Sequence, residues 1–129
     1  MEIATKLVET NIDCETRLWR AVINTALEDV TNPAEGRNSS VLKGAAHDWF
    51  CDNNEDFEFV CLNADLDPKY VRKRYLDALE AGIIFFTKRQ NLNISYTKLY
   101  EKLRSATTTE ERKLIHKNIE KLRKALFDL

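Results

Sequence analysis

Three glycines and two prolines are few for 129 residues, and their scarcity excludes several classes of protein. Chains of many short strands need Gly- and Pro-rich turns, and collagen-like or low-complexity chains need far more of both. Three glycines also cannot build most phosphate cradles. There is no P-loop, no G-x-G-x-x-G and no G-x-S-x-G elbow. Long apolar runs are missing too: the longest, Gly82-Ile83-Ile84-Phe85-Phe86, is far too short to span a bilayer. The first residues carry Glu2 and Glu9 without an apolar stretch, so no secretory signal is expected. Cys14, Cys51 and Cys61 cannot all pair within one chain, and reduced thiols are the default outside secreted proteins. A cytoplasmic, mostly helical protein of one-domain size is the expectation.

What the sequence does have is polarised charge. A formal net charge of −1 conceals five Lys/Arg against fourteen Asp/Glu in residues 1–67. Residues 68–87 hold four basic and two acidic residues, and residues 88–129 hold eleven and five. Such a chain repels polyanions with one part and attracts them with another. Solvated helix surfaces, or halves that pair with each other, give the same counts, so the motifs must decide.

Apolar residues at three- and four-residue spacing (Leu18, Trp19, Val22, Ile23, Ala26, Leu27, Val30) predict a helix N-capped by Asp13 and ended by Thr31-Asn32-Pro33. Residues 32–40 read as a loop, and residues 40–51 as a second helix with Leu42, Ala45, Ala46, Trp49 and Phe50 on its apolar side. Asp52-Asn53-Asn54 breaks it.

The segment from Asp56 to Gly82 is the most informative. One helix covers residues 56–64. Asp65 falls where a tight turn wants φ > 0, which Asp tolerates better than most residues. Asp67 is then an N-cap with Pro68 at N1, and Gly82 is a C′ residue. Two helices joined in this way read as a helix-turn-helix over residues 56–82. Its second helix presents Lys69, Arg72, Lys73 and Arg74 in the turns that enter a major groove. Phosphates are assigned to Lys69, Lys73 and Arg74, and Arg72 to a base edge, because Arg bonds guanine O6 and N7 bidentately.

The spacing Leu18-Trp19-Arg20-Ala21-Val22, then Trp49, then Phe57-x-x-Val60-Cys61-x-x-Ala64-x-Leu66-Asp67-Pro68-x-x-Val71-Arg72 resembles small helical proteins of phages and their bacterial hosts. Those proteins are usually taken to be helix-turn-helix DNA binders. They often have Gly at the turn where this chain has Asp65. The resemblance covers residues 17–75 and implies duplex-DNA binding without catalytic residues. Two roles fit it: a transcription regulator acting as a dimer, or a packaging subunit, like the small terminase subunits, acting as a ring.

The last third reads differently. Ile83-Ile84-Phe85-Phe86-Thr87 suits a short strand or an end-of-core segment, and Lys88-Arg89-Gln90-Asn91 a polar turn. Tyr96, Leu99, Tyr100 and Leu103 mark a helix over residues 95–105, and Thr108-x-x-Glu111 is a capping-box pattern for a final helix. On that helix Ile115, Ile119, Leu122, Leu126 and Leu129 recur at heptad steps. They form either an oligomerising seam or the inward stripe of a helix packed on its own domain. Lys117, Lys121 and Lys124, with Lys88 and Arg89 upstream, are candidates for secondary phosphate contacts.

His47-x-x-x-Cys51 with Cys61 lacks the second ligand pair of a structural zinc, so no metal site is expected; Cys51 and Cys61 read as core and His47 as surface. Trp19 and Trp49 fall on apolar stripes and read as core. No acid/base pair stands out, so no enzyme, cofactor, small-molecule substrate or membrane partner is expected. The whole is expected to be all-α, with residues 1–87 a helix-turn-helix domain and residues 88–129 a basic helical hairpin. The partner expected is duplex DNA, bound by a homo-oligomer. An alternative class is a protein-interaction module or inhibitor that uses the acidic N-terminal surface. Its mark would be Glu55, Asp56, Glu58 and Asp65 neutralising the basic helix.

Overall fold

The computed structural model describes residues 13–52 and 54–128; Glu2, Glu9, Asn53 and Leu129 lie outside the described residues. Among the described residues the chain is all-helical, with α1 Cys14–Thr31, α2 Arg37–Cys51, α3 Glu55–Asn63, α4 Pro68–Glu80, α5 Lys88–Ser105 and α6 Thr109–Phe127.

Capping chemistry places these helices. Asp13 accepts from the Glu15 N–H, Asn54 from Asp56, Asp67 from Lys69 and Thr108 from Glu111, each satisfying a donor that the first turn leaves free. Helices α3 and α4 stop in the same way. The Leu66 N–H reaches the Cys61 carbonyl and Asp65 N–H that of Leu62; the Ile83 N–H reaches Ala78 and Gly82 N–H reaches Leu79. Both patterns are Schellman motifs, which need a left-handed residue at C′. Gly82 supplies it at φ 77°, and Asp65 supplies it at φ 58°, a positive φ at a non-glycine residue. Asp65→Val should lose about 1–2 kcal/mol of stability in urea unfolding, because a β-branched side chain is strained at that φ. Asp65→Gly should match or exceed the parent.

Two boundaries differ from the sequence expectation. Helix α2 starts at Arg37 rather than at residue 40, because Ser40 bonds its hydroxyl to the Gly36 carbonyl and so fits inside the first turn. Helix α5 starts at Lys88, so residues 88–91 are its first turn rather than a polar turn. The cause is a capping box: Thr87 Oγ1 accepts from the Gln90 N–H at 3.1 Å and Gln90 Oε1 accepts from the Thr87 N–H at 3.0 Å. Residues 83–87 form no strand. They bend away from the end of α4 and close the core, with Ile84 buried and Phe86 half-buried while Ile83 and Phe85 face solvent.

The core lies among α1, α2, α3 and α4, around Phe50, Phe57, Val30 and Cys61, all fully buried, with Trp19 and Trp49 packed on it. Tyr75 of α4 stacks on Phe50 at 4.3 Å between centroids, and Phe57 meets Phe50 and Trp49 edge to face. Helix α5 packs on α2 and on α6. The Cβ of an alanine at Gly44 of α2 would stand 3.0 Å from Ile94 Cδ1 of α5, so the missing side chain sets that close approach. The expected boundary at 87/88 therefore falls within a capping box, next to residues that pack back on α2.

Three cations bind the helices together. None of α1, α2 and α3 has a basic residue in its own last turn. Each C-terminus instead receives a cation from elsewhere in the chain, where it offsets the free carbonyls and the dipole. Lys43 Nζ donates to Asn32 O at the end of α1, Arg72 to Phe50 O and Asp52 O at the end of α2, and Arg20 to Ala64 O at the end of α3.

Candidate nucleic-acid interface

Pro68 at N1 and the Asp67 cap fix where α4 begins, and so fix the direction of every side chain along it. Tyr75, Val71, Ala78 and Leu79 turn toward the core. The opposite face carries Lys69, Lys73 and Arg74, all exposed, with Tyr70 between them at 57% exposure. Sequence reasoning passed over Tyr70. The signal that would have found it is its place one turn before Lys73 and Arg74, which puts it on their face.

Arg72 does not belong to that face. Its Nε donates to Phe50 O at 2.9 Å, an Nη to Asp52 O at 3.1 Å, and its guanidinium lies 4.9 Å from the Phe57 ring centroid. This corrects the assignment of Arg72 to a base edge: the group is held between the end of α2 and the core. One position separates it from Lys73, but at 100° per residue that rotation carries the side chain from solvent to the interhelical contact.

The acidic residues of α3 leave the basic face free. Asp56 accepts from Trp49 Nε1 at 2.8 Å, while Glu55, Glu58 and Asp65 are exposed. Among the described residues the ion pairs are Lys98 with Asp48 at 3.8 Å and Arg123 with Glu120 at 2.8 Å; neither involves α3 or α4.

The α5–α6 hairpin holds the remaining candidates. Lys88 and Arg89 are exposed in the first turn of α5, and Lys117, Lys121 and Lys124 are exposed along α6. Among the described residues, neither α5 nor α6 packs extensively on α4, so these five residues stand on other helices than the α4 cations. On the apolar stripe of α6, Ile119 is buried and Ile115, Leu122 and Leu126 are half-buried. Leu122 lines a groove together with Leu99 of α5, on the side of α6 that meets α5. Leu129 lies outside the described residues.

His47 is half-buried rather than on the surface. Its Nδ1 shares a hydrogen bond with the Tyr75 hydroxyl at 2.7 Å, and its ring stands 3.8 Å from Cys51 Sγ. Burial pushes the Tyr75 hydroxyl and the Cys51 and Cys61 thiols above their ordinary values, which keeps all three protonated at neutral pH. Cys51 and Cys61 are thereby poor nucleophiles. No helix among the described residues is long and apolar enough to cross a membrane. No protein-family model, curated protein or solved structure matches this chain.

Proposed function

We propose that the chain binds duplex DNA through α3 and α4, used as a helix-turn-helix with the first two turns of α4 in the major groove. The observation that carries this reading is the outward face of α4: three exposed cations and an exposed tyrosine, free of ion pairs with the acidic helix before it. Lys69 and Lys73 serve as phosphate contacts, since an ammonium is a compact point charge. With Arg72 held by α2, Arg74 becomes the residue for a guanine edge. Tyr70 adds a contact with backbone or base methyl at the groove wall. A regulator and a packaging subunit would share this mechanism and differ in assembly.

The test is fluorescence anisotropy of a labelled random-sequence duplex from low to physiological salt. Affinity should fall steeply as salt rises, with a log–log slope near −0.9 for each phosphate neutralised, so about −2 to −3 for this face. A flat salt dependence, or no binding at low salt, overturns the reading. A second reading, a protein-interaction surface, is favoured by Phe59 and Leu62, which stand exposed among the acids of α3.

A further inference from the structure

Among the described residues, two largely exposed surfaces complement each other. Helix α3 turns Glu55, Glu58, Phe59 and Leu62 outward, at i, i+3, i+4 and i+7, so all four share one stripe. Phe59 and Leu62 are 55% and 67% exposed. Large apolar side chains at this spacing are the anchors of helix-in-groove recognition. The stripe is firmly backed: Phe59 meets the Trp19 ring edge to face at 5.3 Å, and Arg20 ties the end of α3 to α1.

A groove runs along one side of the α5–α6 hairpin, in two adjoining sections of about 570 and 420 Å³ that both include Lys98 and Lys102. Its floor is apolar, from Leu114 and Ile115 in one section to Leu99 and Leu122 in the other. Lys98, Lys102 and Lys121 form the walls, and Glu101 and Glu111 stand only in the section nearest the interhelical loop. The α5 wall runs from Ser95 to Ser105, about 16 Å, and the nine residues of α3 extend about 13 Å.

We infer that this groove receives α3 from a second copy of the chain. Phe59 and Leu62 rest on the apolar floor, and Glu55 and Glu58 face Lys102 and Lys121, with Lys98, paired to Asp48, at the edge. The occupant is a second copy because the chain supplies both halves of the complementarity: an apolar pair ringed by acids, and an apolar floor walled by lysines. Stripe and groove are different surfaces, so the contact is heterologous. Each copy gives its stripe to one neighbour and its groove to another, which produces a ring if the rotation closes and a filament if it does not. The inference shares α3 and Lys121 with the DNA reading but not the α4 face, since Lys69, Lys73 and Arg74 lie in neither surface.

Sedimentation velocity of the full chain should show mass rising with protein concentration, less so at high salt. Phe59→Glu with Leu62→Glu spoils the stripe, and Lys102→Glu with Lys121→Glu spoils the groove. The groove variant should melt like the parent, since Lys102 and Lys121 are exposed. The stripe variant should melt somewhat lower, because Phe59→Glu gives up the contact with Trp19; Leu62→Glu alone, without that contact, serves as its control. Each double variant should be monomeric alone. Mixed in equal amounts they should form a heterodimer and nothing larger, because each keeps the half that the other has lost. A parent that stays monomeric at every concentration overturns the inference, as do variants that still assemble or a mixture that stays monomeric. Loss of DNA binding with assembly intact strikes only the α4 reading.

Discussion

Replacing Lys69, Lys73 and Arg74 together by Ala is expected to weaken duplex binding about hundredfold or more and to flatten its salt dependence, with little change in thermal unfolding. The three side chains are exposed and form no ion pair among the described residues, so their truncation removes charge from the surface and no packing from the core. Arg72→Ala is expected to do the reverse. It removes two charged-donor bonds to carbonyls at the end of α2 and uncovers the Phe57 ring, a loss of about 1.5–3 kcal/mol. The salt slope should stay close to that of the parent. Arg72→Lys should restore only part of the stability, because an ammonium cannot serve both carbonyls with the planar fork of a guanidinium. Anisotropy and urea unfolding, run on the same preparations, separate the two sets. If Arg72→Ala keeps its stability and loses affinity as the triple variant does, Arg72 returns to the interface and the correction drawn from its bonds is wrong.

That contrast shows where the sequence is legible. The beginnings of α1, α4 and α6 are readable because Asp13, Asp67-Pro68 and Thr108 act on donors two or three residues away. The left-handed turn at Asp65 is readable for the same reason, since its cause is a local steric preference. Thr87-x-x-Gln90 is the same kind of signal as Thr108-x-x-Glu111, but it follows an apolar run and carries Lys88 and Arg89 where a first turn favours acids. Composition there reads as a loop, and the hydrogen-bond pattern overrides it.

The roles of Arg20, Lys43 and Arg72 were not legible, because their partners are backbone carbonyls 11 to 44 residues away in sequence. A carbonyl has no residue-type signature. The sequence shows that α1, α2 and α3 lack a basic residue in their last turns, which poses the question of how those ends are satisfied. Only the packing of the helices selects the cations that answer it. Counting Arg72 with its neighbours as free charge therefore overstates the basic face by one residue, and the same reasoning hides Lys43 altogether.

Gln90→Leu is expected to cost about 3 kcal/mol or more, close to the cost of emptying a core position. Gln90 is fully buried and its amide is saturated: Nε2 donates to Asn32 O and Ala34 O, and Oε1 accepts from Lys43 Nζ and the Thr87 N–H. Leucine fills a similar volume but leaves carbonyls unpaired and takes an acceptor from a lysine that is itself 3% exposed. Among the described residues Lys43 forms no ion pair; its charge is held by Asn32 O, Phe85 O, Gln90 Oε1 and the faces of Phe85 and Phe86. Lys43→Met removes the charge along with the need to solvate it, so the double variant should cost less than the sum of the singles, by about 0.5–3 kcal/mol in a double-mutant cycle. Strict additivity would mean that the two side chains stabilise separate elements. A pH series gives an independent check. Burial holds the Lys43 pKa below its ordinary 10.5, so in the window up to that value the unfolded chain binds more protons and stability rises with pH. Burial has the opposite effect on Tyr75, whose hydroxyl stays protonated in the folded chain above its ordinary 10.0, so stability falls with pH beyond that point. The buried Cys51 and Cys61 thiols act in the same sense as Tyr75 from their ordinary 9.0, so the rise should be sought below about pH 9. Lys43→Met should abolish it and leave the alkaline fall, whereas an unchanged rise in that variant would show that Lys43 carries no depressed titration in the fold.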